Sequence, residues 1–148
     1  MAAVLAASLA SCSRGFEIIP AGTLDSGIYF EFGTFDGTRT RNRIVAFNVY
    51  TYSDEGDREL IWALEGRARV GAIRYGVPPA KLTAQSPAPA LEVMRVYTVQ
   101  AQDQPRGLIT PPGGALLTFY VSETGVPIEC ESLPRCSEAM RNAAGESP

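Results

Sequence analysis

The chain has 148 residues, 45% of them hydrophobic, with 13 Lys and Arg against 16 Asp and Glu for a formal net charge of −3; this is the size of one domain with a substantial core. So mild an acidic balance argues against nucleic acid as a partner, because neutralising phosphates requires a basic surface. The chain contains no histidine, which excludes Ser-His-Asp and Cys-His catalysis, His-ligated zinc and the usual general base near neutral pH.

The first eleven residues, MAAVLAASLAS, carry no charge. They are too few to cross a bilayer as a helix, which needs about 20 apolar residues, and their small-residue end reads as a cleaved signal peptide. Leu9, Ala10, Ser11 and Cys12 resemble the lipobox of bacterial lipoproteins. The resemblance implies cleavage before Cys12 and lipidation of that residue, and Ser13 after it implies the outer membrane, with the domain facing the periplasm. One acyl chain holds a protein only marginally, whereas two or more give stable attachment. The expected organisation is a signal peptide over 1–11, a tether over 12–22, one domain over 23–136 and a flexible tail over 137–148.

From residue 27 onward the chain alternates strand patterns with turn residues. GIYFEFG places Ile28, Phe30 and Phe32 on one face. IVAFNVYTY, ELIWALEG, ARVGAIRYG, LEVMRVYTVQA, ALLTFYVSE and VPIECE follow, bounded by Gly, Pro, Asp and Ser. Seven to nine short antiparallel strands predict an all-β fold, an immunoglobulin-like β-sandwich, with a small barrel as the alternative. Trp62, Phe47, Tyr97 and Phe119 are predicted core; Tyr50, Tyr52 and Tyr75 lie nearer strand ends. The proline-rich VPPAKLTAQSPAPAL is expected along a sheet edge, and QPRGLITPPGG as a rigid connection. LIWALEGRARVGAIRYGVPP followed by PAPALEVMRVYTV is similar to a pattern in small Gram-negative lipoproteins of uncharacterised function; it implies a sandwich and no activity.

Cys130 and Cys136 remain once Cys12 is set aside, and an oxidising compartment predicts a disulfide between them. TYSDEGDRE gathers Asp54, Glu55, Asp57 and Glu59 around Gly56, a hairpin turn in preference to a calcium loop. DGTRTRNR is the candidate partner-binding stretch. Alternation places Arg39, Arg41 and Arg43 on one face of an extended strand, suited to carboxylate or phosphate groups. Continued unbroken, that face would carry Val45, Phe47 and Val49 into the core. Three unpaired arginines cannot be buried, so either the strand projects beyond the core or a bulge near Asn42 changes the register.

These features predict a non-catalytic, membrane-tethered envelope module that binds a protein or envelope component, with no cofactor and no metal. The alternatives are a carboxylate enzyme acting on envelope glycans, with Glu31, Asp36 and Glu65 as conceivable groups, and a structural envelope protein without a discrete ligand.

Overall fold

The computed structural model describes residues 15–104 and 113–145. The expected signal peptide over 1–11, the lipidation site Cys12 and most of the QPRGLITPPGG connection lie outside the described residues. Among the described residues nine strands form two antiparallel sheets packed face to face. The smaller has the order β1 (Glu17–Thr23), β2 (Gly27–Gly33), β5 (Ala72–Arg74). The larger has the order β6 (Leu82–Ala84), β4 (Arg58–Val70), β3 (Asn42–Tyr52), β7 (Val96–Asp103), β8 (Gly114–Val121), β9 (Pro127–Cys130).

The period-two pattern explains the layer between them. Ile28, Phe30 and Phe32 of β2 are buried, as are Phe47 and Val49 of β3, Trp62 and Leu64 of β4, Val99 of β7 and Phe119 of β8. Phe30 sits at the centre, its ring 5.6 Å from Phe47 and 5.7 Å from Phe119, so one side chain ties the small sheet to two strands of the large one. Trp62 adds an edge contact to Phe47 at 6.2 Å.

The topology is a β-sandwich in which β1-β2-β5 faces β4-β3-β7-β8, the two-sheet architecture of immunoglobulin-like domains. The edge strands β6 and β9 are additions. A further mark of that arrangement stands at the start of β7, where the Tyr97 hydroxyl accepts the backbone N–H of Glu92 at 2.8 Å, a tyrosine corner.

Two boundaries differ from those expected. Residues 17–22, assigned to the tether, form most of β1, with Phe16 and Ile18 in the core. Pro20 obscures the pattern, and it is tolerated because β1 is an edge strand and needs no ladder donor there. The tail expected from residue 137 is instead helical through most of its length: α1 spans Leu133–Ala143, with Ser132 as its N-cap and Pro134 in its first turn. It packs Cys136, Leu133, Ala139 and Met140 onto Val96 and Tyr120, covering part of the outer face of the large sheet. The Cys130–Cys136 disulfide joins β9 to α1, with a Cα separation of 5.3 Å.

ARVGAIRYG, read as a single strand, divides at Gly71. Residues up to Val70 stay in the large sheet, and Ala72–Arg74 cross to the small one. The proline-rich stretch runs along the edge of β4 and contributes β6. Its approach requires Gly66, whose φ is +147° and where a Cβ would lie 2.1 Å from the Lys81 carbonyl oxygen.

Candidate functional site

The predicted arginines lie at one end of the sandwich, where three connections meet. Backbone hydrogen bonds hold them together: Thr40 N–H donates to Phe32 O at 3.0 Å, and Phe32 N–H to Gly71 O at 3.0 Å. Arg39 bridges Gly33, which in turn pairs with Glu17 at the start of β1. The first described residues of the chain therefore emerge beside the arginines. Phe35 stands in the same place, 74% exposed, with its ring so close to Gly15 that a Cβ there would sit 3.1 Å from it.

The register change lies further along than residue 42. Relative to β7, the strand carries one extra residue between Ile44 and Ala46. That bulge places Ile44 in the core, leaves Val45 half-buried rather than in the core, and returns Phe47 and Val49 to the interior. Arg43, one residue before Ile44, consequently faces outward. All three arginines are exposed. Arg39 Nε donates to Glu31 Oε2 at 2.9 Å, an ion pair with both side chains partly in solvent, and Arg41 Nη2 donates to the Arg69 carbonyl at 3.1 Å.

Sequence reasoning missed two further members. Arg69 lies directly opposite Arg43 across the β3–β4 ladder, and Arg67 is exposed two residues earlier on the same strand. Like charges directly opposite in a sheet oppose folding. The alternation in GRAR marked Arg67 and Arg69 as outward residues; the pairing of residue 43 with residue 69 depends on the long-range register.

The conceivable catalytic carboxylates are not brought together as a site. Glu31 is paired with Arg39. Asp36 accepts from the Thr34 hydroxyl and from the Thr38 N–H at 3.0 Å, and these hydrogen bonds, Thr34's foremost, hold its carboxyl below the usual range. Glu65 lies exposed on β4, paired in register with Ala46. Among the described residues the carboxyl displaced upward is Glu129 on β9, through partial burial and then the charge of Glu17 on β1. The sequence offers no signal for that pair, because β1 and β9 belong to different sheets.

The acidic stretch is a hairpin turn between β3 and β4. Ser53 N–H donates to Asp57 O at 2.8 Å, Gly56 N–H to Ser53 O at 2.9 Å, and Gly56 has φ +85°. Among the described residues no group of three or more His, Cys, Asp or Glu side chains could hold a metal ion. An open cleft of about 740 Å³ runs beside this turn, lined among others by Tyr52, Asp54, Glu59, Glu92, Arg95 and Met140. The tyrosines near strand ends are engaged within the fold. Tyr75 OH donates to Pro89 O at 2.6 Å, Tyr52 OH meets Thr98 Oγ1 at 2.7 Å, and the Arg58 guanidinium lies 4.1 Å above the Tyr50 ring.

Compared with protein-family models, curated proteins and solved structures, the chain matches none of them. The class the fold defines is thus an immunoglobulin-like β-sandwich with an arginine-rich end.

Proposed function

We propose that the protein is a non-catalytic, membrane-tethered envelope module that binds an anionic envelope component through its arginine-rich end. The observation that carries this reading is the placement of Arg41, Arg43, Arg67 and Arg69 at one end of the large sheet, with Arg39 at the same end beside Glu31 on the outer side of the small sheet, beside the segment that leads back to the lipobox-like Leu9–Cys12. Guanidinium groups present fixed, paired N–H donors suited to carboxylate and phosphate oxygens. The geometry of the conceivable carboxylates favours this over the glycan enzyme, since Glu31 is held in an ion pair and Asp36 by hydrogen bonds that weaken it as a base.

Two experiments test the two halves. The intact mass of protein recovered from bacterial membranes is expected to start at Cys12 with acyl chains added; an unprocessed, unlipidated chain refutes the tether. Replacing Arg39, Arg41 and Arg43 together with Gln is expected to abolish capture of envelope components while leaving the circular dichroism spectrum unchanged. Capture that survives assigns binding to another surface.

A further inference from the structure

We infer that the anionic component is the membrane surface itself: the arginine-rich end is a headgroup-binding face that holds the sandwich down on the bilayer carrying its anchor. This rests on the tethered reading and names the ligand of the same site. Three observations point to lipid rather than to a soluble partner.

The first is position. Phe16, where the described core begins, lies four residues after Cys12, a reach of at most about 14 Å even when fully extended. The end of the sandwich that carries Glu17, Gly33 and Arg39 is therefore the end closest to the bilayer. The second is chemistry. The end presents five arginines, and Arg39 is the one among them with a carboxylate partner among the described residues. Arg43 and Arg69 stand opposite each other on adjacent strands, an arrangement that an anion placed between them would relieve. The third is Phe35, which is exposed at this same end and packs along Gly15. An aromatic ring beside a cluster of cations suits the boundary between headgroups and acyl chains. A soluble anionic partner would need the arginines but gives no reason for an exposed ring at the point where the chain approaches the membrane.

Carboxylates also stand at this end and keep their charge, so the field there is the excess of the arginines over them. Glu31 holds Arg39, Asp36 is hydrogen-bonded to Thr34 and Thr38, and Asp103 accepts the Gly113 N–H at 2.8 Å. Glu17 stands at the same end opposite Gly33, its charge also felt by Glu129.

The test uses the full chain carrying Cys12→Ser, so that no acyl chain contributes, and measures sedimentation with vesicles. One set contains phosphatidylglycerol in phosphatidylethanolamine and the other only phosphatidylcholine. The apolar N-terminal segment acts alike on both, so the difference between them reports headgroup charge. The protein is expected to favour the anionic vesicles and to be released at high salt. An Arg39→Gln, Arg41→Gln, Arg43→Gln variant is expected to bind them roughly a hundredfold more weakly, at about fivefold per arginine. Phe35→Trp, read against the buried Trp62, is expected to shift its emission to the blue on anionic vesicles. Should the triple variant fail to fold, the salt dependence and the Phe35→Trp emission decide the matter.

Equal partition to both vesicle types, or an unchanged triple variant, overturns the headgroup assignment. Release by millimolar inorganic phosphate at constant ionic strength, with no Phe35→Trp shift, also overturns it and assigns the face to a soluble phosphorylated ligand. The unlipidated chain answers independently of the anchor, so failure here is distinct from failure of the tether, which the intact mass alone decides.

Discussion

Replacing Tyr97 with Phe removes a single oxygen atom from the fold. The Tyr97 ring is 2% exposed and stacks on Phe119 at 5.6 Å with an interplanar angle of 29°, contacts that phenylalanine retains. What is lost is the acceptor for the Glu92 N–H, 2.8 Å away, and with it the clamp on the segment leading into β7. A net hydrogen bond of this kind contributes about 1 kcal/mol, and a stranded buried donor costs about 1–3 kcal/mol. The bond is only partly buried, which places the cost near the lower end, about 1–1.5 kcal/mol. For a domain of this size that corresponds to a fall in Tm of roughly 3–5 °C. Urea titration should show a lower midpoint at an unchanged slope. The pH dependence adds a second criterion. Burial raises the Tyr97 hydroxyl pKa above its usual value, so the folded state favours the protonated form. That contribution is complete below about pH 10, the unfolded value, and is lost as pH rises through the folded one. The gap between wild type and Tyr97→Phe should therefore narrow above pH 10. A midpoint unchanged to within 1 °C at neutral pH would mean that the tyrosine corner does not stabilise this sandwich.

Replacing Cys130 and Cys136 together with Ala should cost about 2 kcal/mol, because the closed loop is short; hydrogen exchange should rise in α1, which the bridge secures, well before it rises in β3 or β7. Glu129→Gln should stabilise the protein at pH 7 and lose that advantage near pH 4. The raised carboxyl means that ionisation opposes folding as pH rises through the folded value, and thermal melts at the two pH values check the sign. Arg69→Glu should raise stability by about 0.2–1 kcal/mol by turning a like-charged cross-strand pair into an opposite one, while weakening binding to anionic vesicles; a destabilised variant would show that Arg43 and Arg69 do not oppose each other.

The sandwich was legible where one face of a strand is buried and the other is not. In β2 the alternation of Ile28, Phe30 and Phe32 with Tyr29 and Glu31 is uninterrupted, and its assignment follows from sterics alone. β1 was hidden by Pro20, because a proline counts against a strand unless the strand is known to be an edge, and edge position is a property of the finished sheet. α1 carried local signals in Ser132 and Pro134, which the neighbouring disulfide overshadowed as the apparent end of the domain. The arginine face was legible in part. Arg39, Arg41 and Arg43 announce themselves by alternation, but the bulge after Ile44 that turns Arg43 outward, and the register that sets Arg69 against it, are fixed by pairing between distant segments.

The distribution of charge explains how a chain of net charge −3 can present a face to an anionic surface. β3 has 11 residues, roughly 35 Å at about 3.3 Å per residue. Its first residues stand at the arginine end, and its last lead into the turn that carries Asp54, Glu55 and Asp57. The screening length at physiological salt is about 8 Å, so carboxylates at the far end lie several screening lengths from a surface met by the arginines and scarcely oppose the contact. The local field at each end, which at the arginine end is the balance of its arginines against Glu17, Glu31, Asp36 and Asp103, therefore decides what that end can approach. In the proposed orientation, with the arginines toward the bilayer, the acidic cleft beside Tyr52 and Met140 would be carried outward, away from the headgroups. One ribbon, β3 paired with β4, thus both separates the two charged ends and, through the Arg43–Arg69 pairing, retains a repulsion that an anionic surface would offset.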